Sequence, residues 1–257
     1  MNDEQKYLFD LQGYIVLKNV VPENIIQSVE KLTRNLLTET SSSLSDPVKI
    51  RNYDNNEKNR RICNILEADT AFQYFIDIPE LIDIVQEISG DTYRLNHTYG
   101  QFWTGIGNYT TFHFHGTPLV PQASYRYHNG QIISTLTKAV FPLLDCNEDD
   151  GCFAVIPGSH KSNFERPWGD HHHPELCPVV EPVPANAGDC IIFSEALSHG
   201  STVNKSGNNK STLYYCYSIG WMPDWDDELY FSKNILEKLT SEKRRRIIKI
   251  KDPSTLY

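Results

Sequence analysis

From Asp91 onward the sequence stops reading as helix. Residues 93–99, 100–103, 131–144, 151–156, 189–193 and 211–219 are short runs rich in β-branched and aromatic side chains, cut apart by Gly, Pro and Asn. Asn129-Gly130, between Tyr127-His128 and Gln131, is a strong short hairpin signal. Short strands of this kind bury a core only by stacking sheets. The sequence therefore predicts a mainly β fold, a sandwich or jelly roll, braced by helices on either side of it.

The flanking segments supply those helices. Residues 7–17 read as a short helix, a turn at Gly13 and a strand. Pro22-Glu23-Asn24 then opens a helix whose Ile25, Ile26, Val29, Leu32, Leu36 and Leu37 recur at helical spacing. Residues 38–60 are polar and rich in Ser and Asn, and are expected to form a surface loop with no core of its own. A second helical patch spans 69–90, with Gly90 as C-cap. The tail after Pro223 reads as helical over 227–246. With no repeat and no linker, the expectation is one domain over 1–257: a helical N-terminal region over 1–90, a β core over 91–220 and a helical tail over 223–257.

Composition narrows the function. The chain has 257 residues and 33 acidic against 24 basic side chains, a net charge of −9. That balance argues against a nucleic-acid surface, which needs clustered Lys and Arg. The one basic run, Lys243-Arg244-Arg245-Arg246, reads as a solvated helix end. No apolar stretch approaches the ~20 residues of a membrane span, and the opening residues lack the order of a signal peptide. A cytoplasmic location and no membrane partner are expected. The six cysteines show no Cys-x-x-Cys spacing and read as reduced, buried thiols.

Among nine histidines, the run His171-His172-His173 lies in a polar Pro/Gly/Asp stretch and reads as a solvated loop. His113-Phe114-His115 is more informative. On a strand, residues i and i+2 share a face about 6.6 Å apart, so two imidazoles can converge on one ion, with His199 as a distant third. Non-haem iron is commonly held by two His and one carboxylate, with positions left open.

The segment from Cys146 to Lys161, an acidic Gly-containing loop leading through a strand to Pro157-Gly158-Ser159-His160-Lys161, resembles the signature of the phytanoyl-CoA dioxygenase family of iron(II)- and 2-oxoglutarate-dependent oxygenases. Three further matches follow in order: 9–17, with Gly13-Tyr14; Ala187-Gly188-Asp189 and the strand after it; and His199-Gly200-Ser201 with Asn204 and Ser206. Together they cover about 7–220 and imply a double-stranded β-helix.

The resemblance makes His199 the distal metal ligand. Lys210 stands where the family commonly has an arginine for the co-substrate's 5-carboxylate; a lysine offers a point charge without the bidentate fork. Ser201 matches a hydroxyl that assists that carboxylate, and Gln101 and Tyr99 stand where further 2-oxoglutarate contacts occur. The usual His-x-Asp/Glu is missing. Either His113 is the ligand with His115 in the carboxylate's place, or His115 is the ligand and Thr117 takes that place. The second alignment is preferred, because a divergent branch carries His-Gly here and shares the segment 193–200. Glu195, four residues before His199, would be about 13 Å away on a regular strand, so pairing with a buried cation is expected for it. Substrate contacts are expected from 118–131, including Tyr125 and Arg126, and from 99–112. The implied activity is oxygenation, most simply hydroxylation, of a small organic molecule, using Fe(II) and 2-oxoglutarate. A halogenase with a carboxylate-free site and a jelly-roll binding protein without iron chemistry are the alternatives.

Overall fold

The computed structural model of the chain describes residues 1–39, 43–53, 58–169, 171–248 and 250. Helix α1 (Asp3–Gln12) opens on a capping box in which the Asn2 side chain accepts from the Gln5 backbone N–H at 2.8 Å and Gln5 reciprocates. It closes on Gly13, whose φ of +88° suits the left-handed cap position. Strand β1 (Tyr14–Leu17) and helix α2 (Glu23–Thr38) follow, with Ile26 and Val29 of the expected apolar stripe buried. Next come β2 (Lys49–Asn52), β3 (Asn59–Cys63), two 3-10 turns, and α3 (Pro79–Ser89), which ends at Gly90 as expected.

The β region contains β4 (Arg94–Trp103), β5 (Tyr125–His128), β6 (Gln131–Ser134), β7 (Leu136–Pro142), β8 (Phe153–Val155), β9 (Glu181–Val183), β10 (Cys190–Ser194), β11 (His199–Ser201) and β12 (Lys210–Ser218). Seven strands form one antiparallel sheet in the order β1-β10-β7-β12-β4-β3-β2. A smaller sheet, β11-β8-β9, faces it, and β5-β6 is the hairpin expected at Asn129-Gly130. This is the mainly β, two-sheet architecture expected from the sequence.

Alternation along β12 sorts the interior into two layers. Leu213, Tyr215 and Tyr217 join the main core with Phe75 and Phe141, against the helices. Tyr214 and Cys216 point the other way, into the space between the sheets. There Tyr14, Val140, Ile191 and Phe193 of the large sheet pack on Phe153, Val155 and Val183 of the small one.

Two expectations need correction. The segment 38–60 is not simply a surface loop: β2 and β3 extend the large sheet, with β3 paired to β4 from Asn59–Trp103 to Cys63–Tyr99. The polar side chains that suggested a loop include those of β2, an exposed edge strand, while residues 40–42 and 54–57 of this segment lie outside the described residues. The tail holds two short helices, α4 (Ile235–Lys238) and α5 (Glu242–Ile247), rather than one continuous helix. The basic run lies on α5, where Arg244 pairs with Asp77 at 2.6 Å. All six cysteines are buried and free.

Candidate metal centre and cavity

The chain passes from the large sheet to the small one within four residues. The Glu195 N–H still donates to the Leu136 carbonyl beside β7, at 2.9 Å. A turn from Ser194 to Leu197 follows, and Ser198 already bonds the small-sheet side, its carbonyl accepting from Ile156 N–H and its N–H donating to Ser159 Oγ. Glu195 and His199 thus stand on two sheets that face each other, and the Glu195 Oε2 to His199 Nε2 separation is 4.0 Å. The strand spacing of about 13 Å does not apply across such a corner.

His113 reaches the same place from a third segment. It exchanges both backbone hydrogen bonds with His199, at 3.1 and 3.2 Å, and directly opposed residues of an antiparallel pair project side by side. The two ring centroids are 4.2 Å apart. His113 Nδ1 lies 2.9 Å from the Thr111 carbonyl and His199 Nδ1 2.7 Å from the Leu197 carbonyl. A carbonyl only accepts, so each Nδ1 carries the proton and each Nε2 is left with its lone pair. Burial keeps both rings neutral. It pushes His113 down to about 3, with the Thr111 carbonyl partly opposing it, and holds His199 well below the usual histidine range. Burial also raises the Glu195 carboxyl, against the pull of Lys138, whose Nζ sits 2.7 Å from Oε1. The ligand atoms of His113, Glu195 and His199 all lie within 4.8 Å of one another, the one such group among the described residues. Two imidazoles and a carboxylate form a donor set suited to non-haem iron.

His115 is not a member of this group. Phe114 takes a φ of +58°, which breaks the extended alternation that would put residues 113 and 115 on one face. His115 Nε2 instead lies 3.2 Å from the Phe164 carbonyl. Gly116 is wedged against Ser162, where a Cβ would come within 2.7 Å of its backbone nitrogen, and Thr117 Oγ1 donates to the Ser162 carbonyl at 2.7 Å. The structure thus does not bring His115 and Thr117 to His199, as the preferred alignment expects; this segment anchors the loop after Pro157-Gly158-Ser159-His160-Lys161.

A cavity of about 440 Å³ opens onto the three residues. Lys210, Gln101 and Tyr99, the residues the sequence singled out for co-substrate contacts, are among those that line it. Tyr99 stacks on Tyr214 at 4.5 Å and carries the Arg61 guanidinium on its ring, 4.4 Å from the centroid. Lys210 donates to the Gly151 carbonyl at 2.7 Å and rides over Trp103. An ammonium has three donors, so others remain for a ligand. Trp225 closes one side, in contact with Phe114, His97 and Lys138. Sequence reasoning does not single out Arg61, Lys138 or Trp225, since an isolated cation or Trp carries no spacing signal.

Other expected site residues lie elsewhere. Ser201 Oγ accepts from the Thr110 N–H at 2.8 Å and donates to the Thr202 carbonyl, tying 110 to β11 outside the cavity lining. Tyr125 is buried away from the cavity, its hydroxyl on Asp10 Oδ1 at 2.6 Å and its ring edge-on to His160. Arg126 is exposed on the β5-β6 hairpin. Hydrogen bonds hold Ser201 and Tyr125 outside the cavity lining, and Arg126 is not part of that lining either. The run 171–173 is also more than a solvated loop. His172 is buried and bridges Phe112, and His171 stacks on His113 with centroids 6.2 Å apart. A larger groove of about 1020 Å³ between α1, α3 and the hairpin has no histidine or cysteine in its lining.

The sequence profile of the phytanoyl-CoA dioxygenase (PhyH) family matches residues 9–212. The chain belongs to the phytanoyl-CoA dioxygenase family. Among curated relatives, an uncharacterised protein of Mycobacterium tuberculosis, Rv1501, is 26% identical over 157 residues, 60% of this chain and 54% of its own length. The chain thus spans about half the length of that relative. The peroxisomal phytanoyl-CoA dioxygenase of Mus musculus is 23% identical over 230 residues, 79% of this chain and 64% of the mouse protein. Among solved structures, HygX from Streptomyces hygroscopicus with nickel and 2-oxoglutarate bound superposes with a TM-score of 0.73 at 21% identity, covering 88% of this chain and 90% of HygX. This family member thus shares the HygX fold. No helix among the described residues is long and apolar enough to cross a membrane.

Proposed function

We propose that this family member is a non-haem iron(II)- and 2-oxoglutarate-dependent oxygenase that hydroxylates a small organic molecule. The observation that carries the reading is the convergence of two bare, neutral imidazole nitrogens, His113 and His199, at the floor of a cavity. HygX has also been crystallised with hygromycin B alongside nickel and 2-oxoglutarate, which supports a small-molecule partner in a fold of this kind.

Iron(II) with 2-oxoglutarate supplies the activation of oxygen; the chain's own residues bind, orient and exclude water. The carbonyls of Thr111 and Leu197 fix the tautomer and ring orientation of the two histidine ligands. Lys210 anchors the distal carboxylate of 2-oxoglutarate with the donors it does not spend on Gly151, and Gln101 and Tyr99 flank it. Trp225 and Phe114 wall the cavity, and with Arg61 and Tyr109 they face the substrate. The halogenase alternative needs a carboxylate-free site, and the buried Glu195, 4.0 Å from His199, favours the oxygenase reading over it.

Calorimetry under anaerobic conditions tests the reading. Iron(II) is expected to bind with one-to-one stoichiometry, and 2-oxoglutarate to bind only the iron-loaded protein. No uptake of either would overturn it in favour of a binding protein without iron chemistry.

A further inference from the structure

Three hydrogen-bond acceptors with no donor between them meet where the sheets join. Nε2 of His113 and Nε2 of His199 are bare because both Nδ1 protons are committed to carbonyls. The third acceptor is Glu195 Oε2, fully buried and without a hydrogen-bond partner, although Oε1 of the same carboxylate is held by Lys138. Lone pairs packed together in a buried corner repel, and an unsatisfied buried carboxylate oxygen is costly. A cation at their focus turns that repulsion into attraction.

We propose that Glu195 supplies the carboxylate ligand of the metal centre, from the corner between the two sheets rather than from the position two residues after the first histidine, and that Lys138 fixes it through its other oxygen. The inference rests on the oxygenase reading and names the ligand that reading leaves open. A purely structural pairing with Lys138 accounts for Oε1 alone. It does not explain why Oε2 turns toward His199 Nε2, 4.0 Å away, in a pocket with no other Asp or Glu among the described residues of its lining. The segment after His113 cannot compete, since Phe114 turns the chain and His115 and Thr117 bond to the 162–164 loop. The same four-residue crossing that holds β10 and β11 on opposite sheets delivers Glu195 and His199 to one point. Metal binding here is thereby coupled to the junction of the two sheets.

The test is a manganese(II) titration of the full chain, reading free ion by electron paramagnetic resonance, on wild type, Glu195→Gln, His199→Ala and His115→Ala. Glu195→Gln is expected to weaken binding about 100-fold, at or beyond the upper range seen when a ligand's supporting partner is lost, while His115→Ala binds as wild type does. The double variant Lys138→Gln/Glu195→Gln, which leaves no buried unpaired charge, guards against misfolding and should show the same loss. Affinity within about threefold of wild type in either Gln variant, with His199→Ala inactive in binding, overturns the carboxylate assignment and leaves the oxygenase reading standing. A wild type that takes up no manganese overturns both. On the wild-type chain labelled with glutamate carrying carbon-13 in its side-chain carboxyl, saturation with zinc(II) should shift one carboxyl resonance, and an unchanged set would also overturn the assignment.

Discussion

A backbone carbonyl decides which nitrogen of each imidazole faces the cavity. Thr111 and Leu197 take the Nδ1 protons of His113 and His199, and the site inherits two lone pairs aimed at one point. Replacing His113 by Ala should therefore abolish iron(II) uptake, and replacing His115 by Ala should leave it unchanged; anaerobic calorimetry separates the two, and equal losses would contradict the placement of His115. Lys138 is held to Glu195 in near-complete burial. Lys138→Met should destabilise the fold by roughly 3–5 kcal/mol, because it strands a buried charge. Adding Glu195→Gln should recover much of that loss, as chemical denaturation would read. At this scale the sequence was partly legible. His199 and Lys210 stand out through the family's motifs, but the partner of His199 does not. Strand spacing sets the reach between residues 195 and 199 only while the strand is straight, and the positive φ of Phe114 is invisible in a His-x-His pattern.

Close backbone approach and one polar clasp position the elements. Gly200 lies so near the segment carrying His113 that a Cβ would meet the Thr110 carbonyl oxygen at 2.7 Å and the Phe112 ring at 2.8 Å. Gly200→Ala should push β11 off that segment, cost about 1–3 kcal/mol, and weaken metal binding without touching a ligand. Native metal affinity in this variant would show that the His113–His199 pairing tolerates the shift. The Pro-Gly-Ser-His-Lys motif has a mechanical role at the other end of the sheet. Lys161 and Tyr125 both bond the Asp10 carboxylate, and His160 Nε2 donates to the Asp10 carbonyl, pinning α1 to the β core. Burial pushes the Asp10 carboxyl up, but the Tyr125 and Lys161 bonds outweigh it and hold it below the usual value. A depressed carboxyl stabilises the folded state above its unfolded pKa, and the effect fades as pH falls through the folded value. Asp10→Asn should thus lower the melting temperature at neutral pH, by the equivalent of no more than about 1 kcal/mol for this half-exposed group, and the gap to wild type should close below about pH 4. The helices α1, α2 and α3 and most strands were legible from periodicity and punctuation. Strands β2 and β3 were not, because an exposed edge strand and its neighbour, carrying Lys, Arg and Asn, have the composition of a loop.

The charge of the whole molecule and that of its cavity have opposite signs. The chain carries −9, yet among the described residues Arg61, Lys138 and Lys210 line the cavity with Glu195 as the one carboxylate. Against this net negative charge, the interior offers localised positive charge to a small dianion. Lys210→Met should raise the 2-oxoglutarate dissociation constant about 10–100-fold, the worth of one charge-assisted hydrogen bond, and leave iron(II) affinity as it is. A matching loss of iron affinity would move Lys210 from co-substrate anchoring to support of the fold. The two-sheet architecture follows from the strand-rich composition after Asp91, whereas the corner that assembles the site is a property of how the sheets face each other. The central claim, that iron(II) and 2-oxoglutarate assemble between those sheets, is tested most directly by adding 2-oxoglutarate to the iron(II)-loaded protein without oxygen and recording its visible spectrum. The account predicts the weak charge-transfer band of a 2-oxoglutarate chelate on iron(II), present in wild type and absent in His199→Ala. No band in wild type at saturating iron and co-substrate would contradict it.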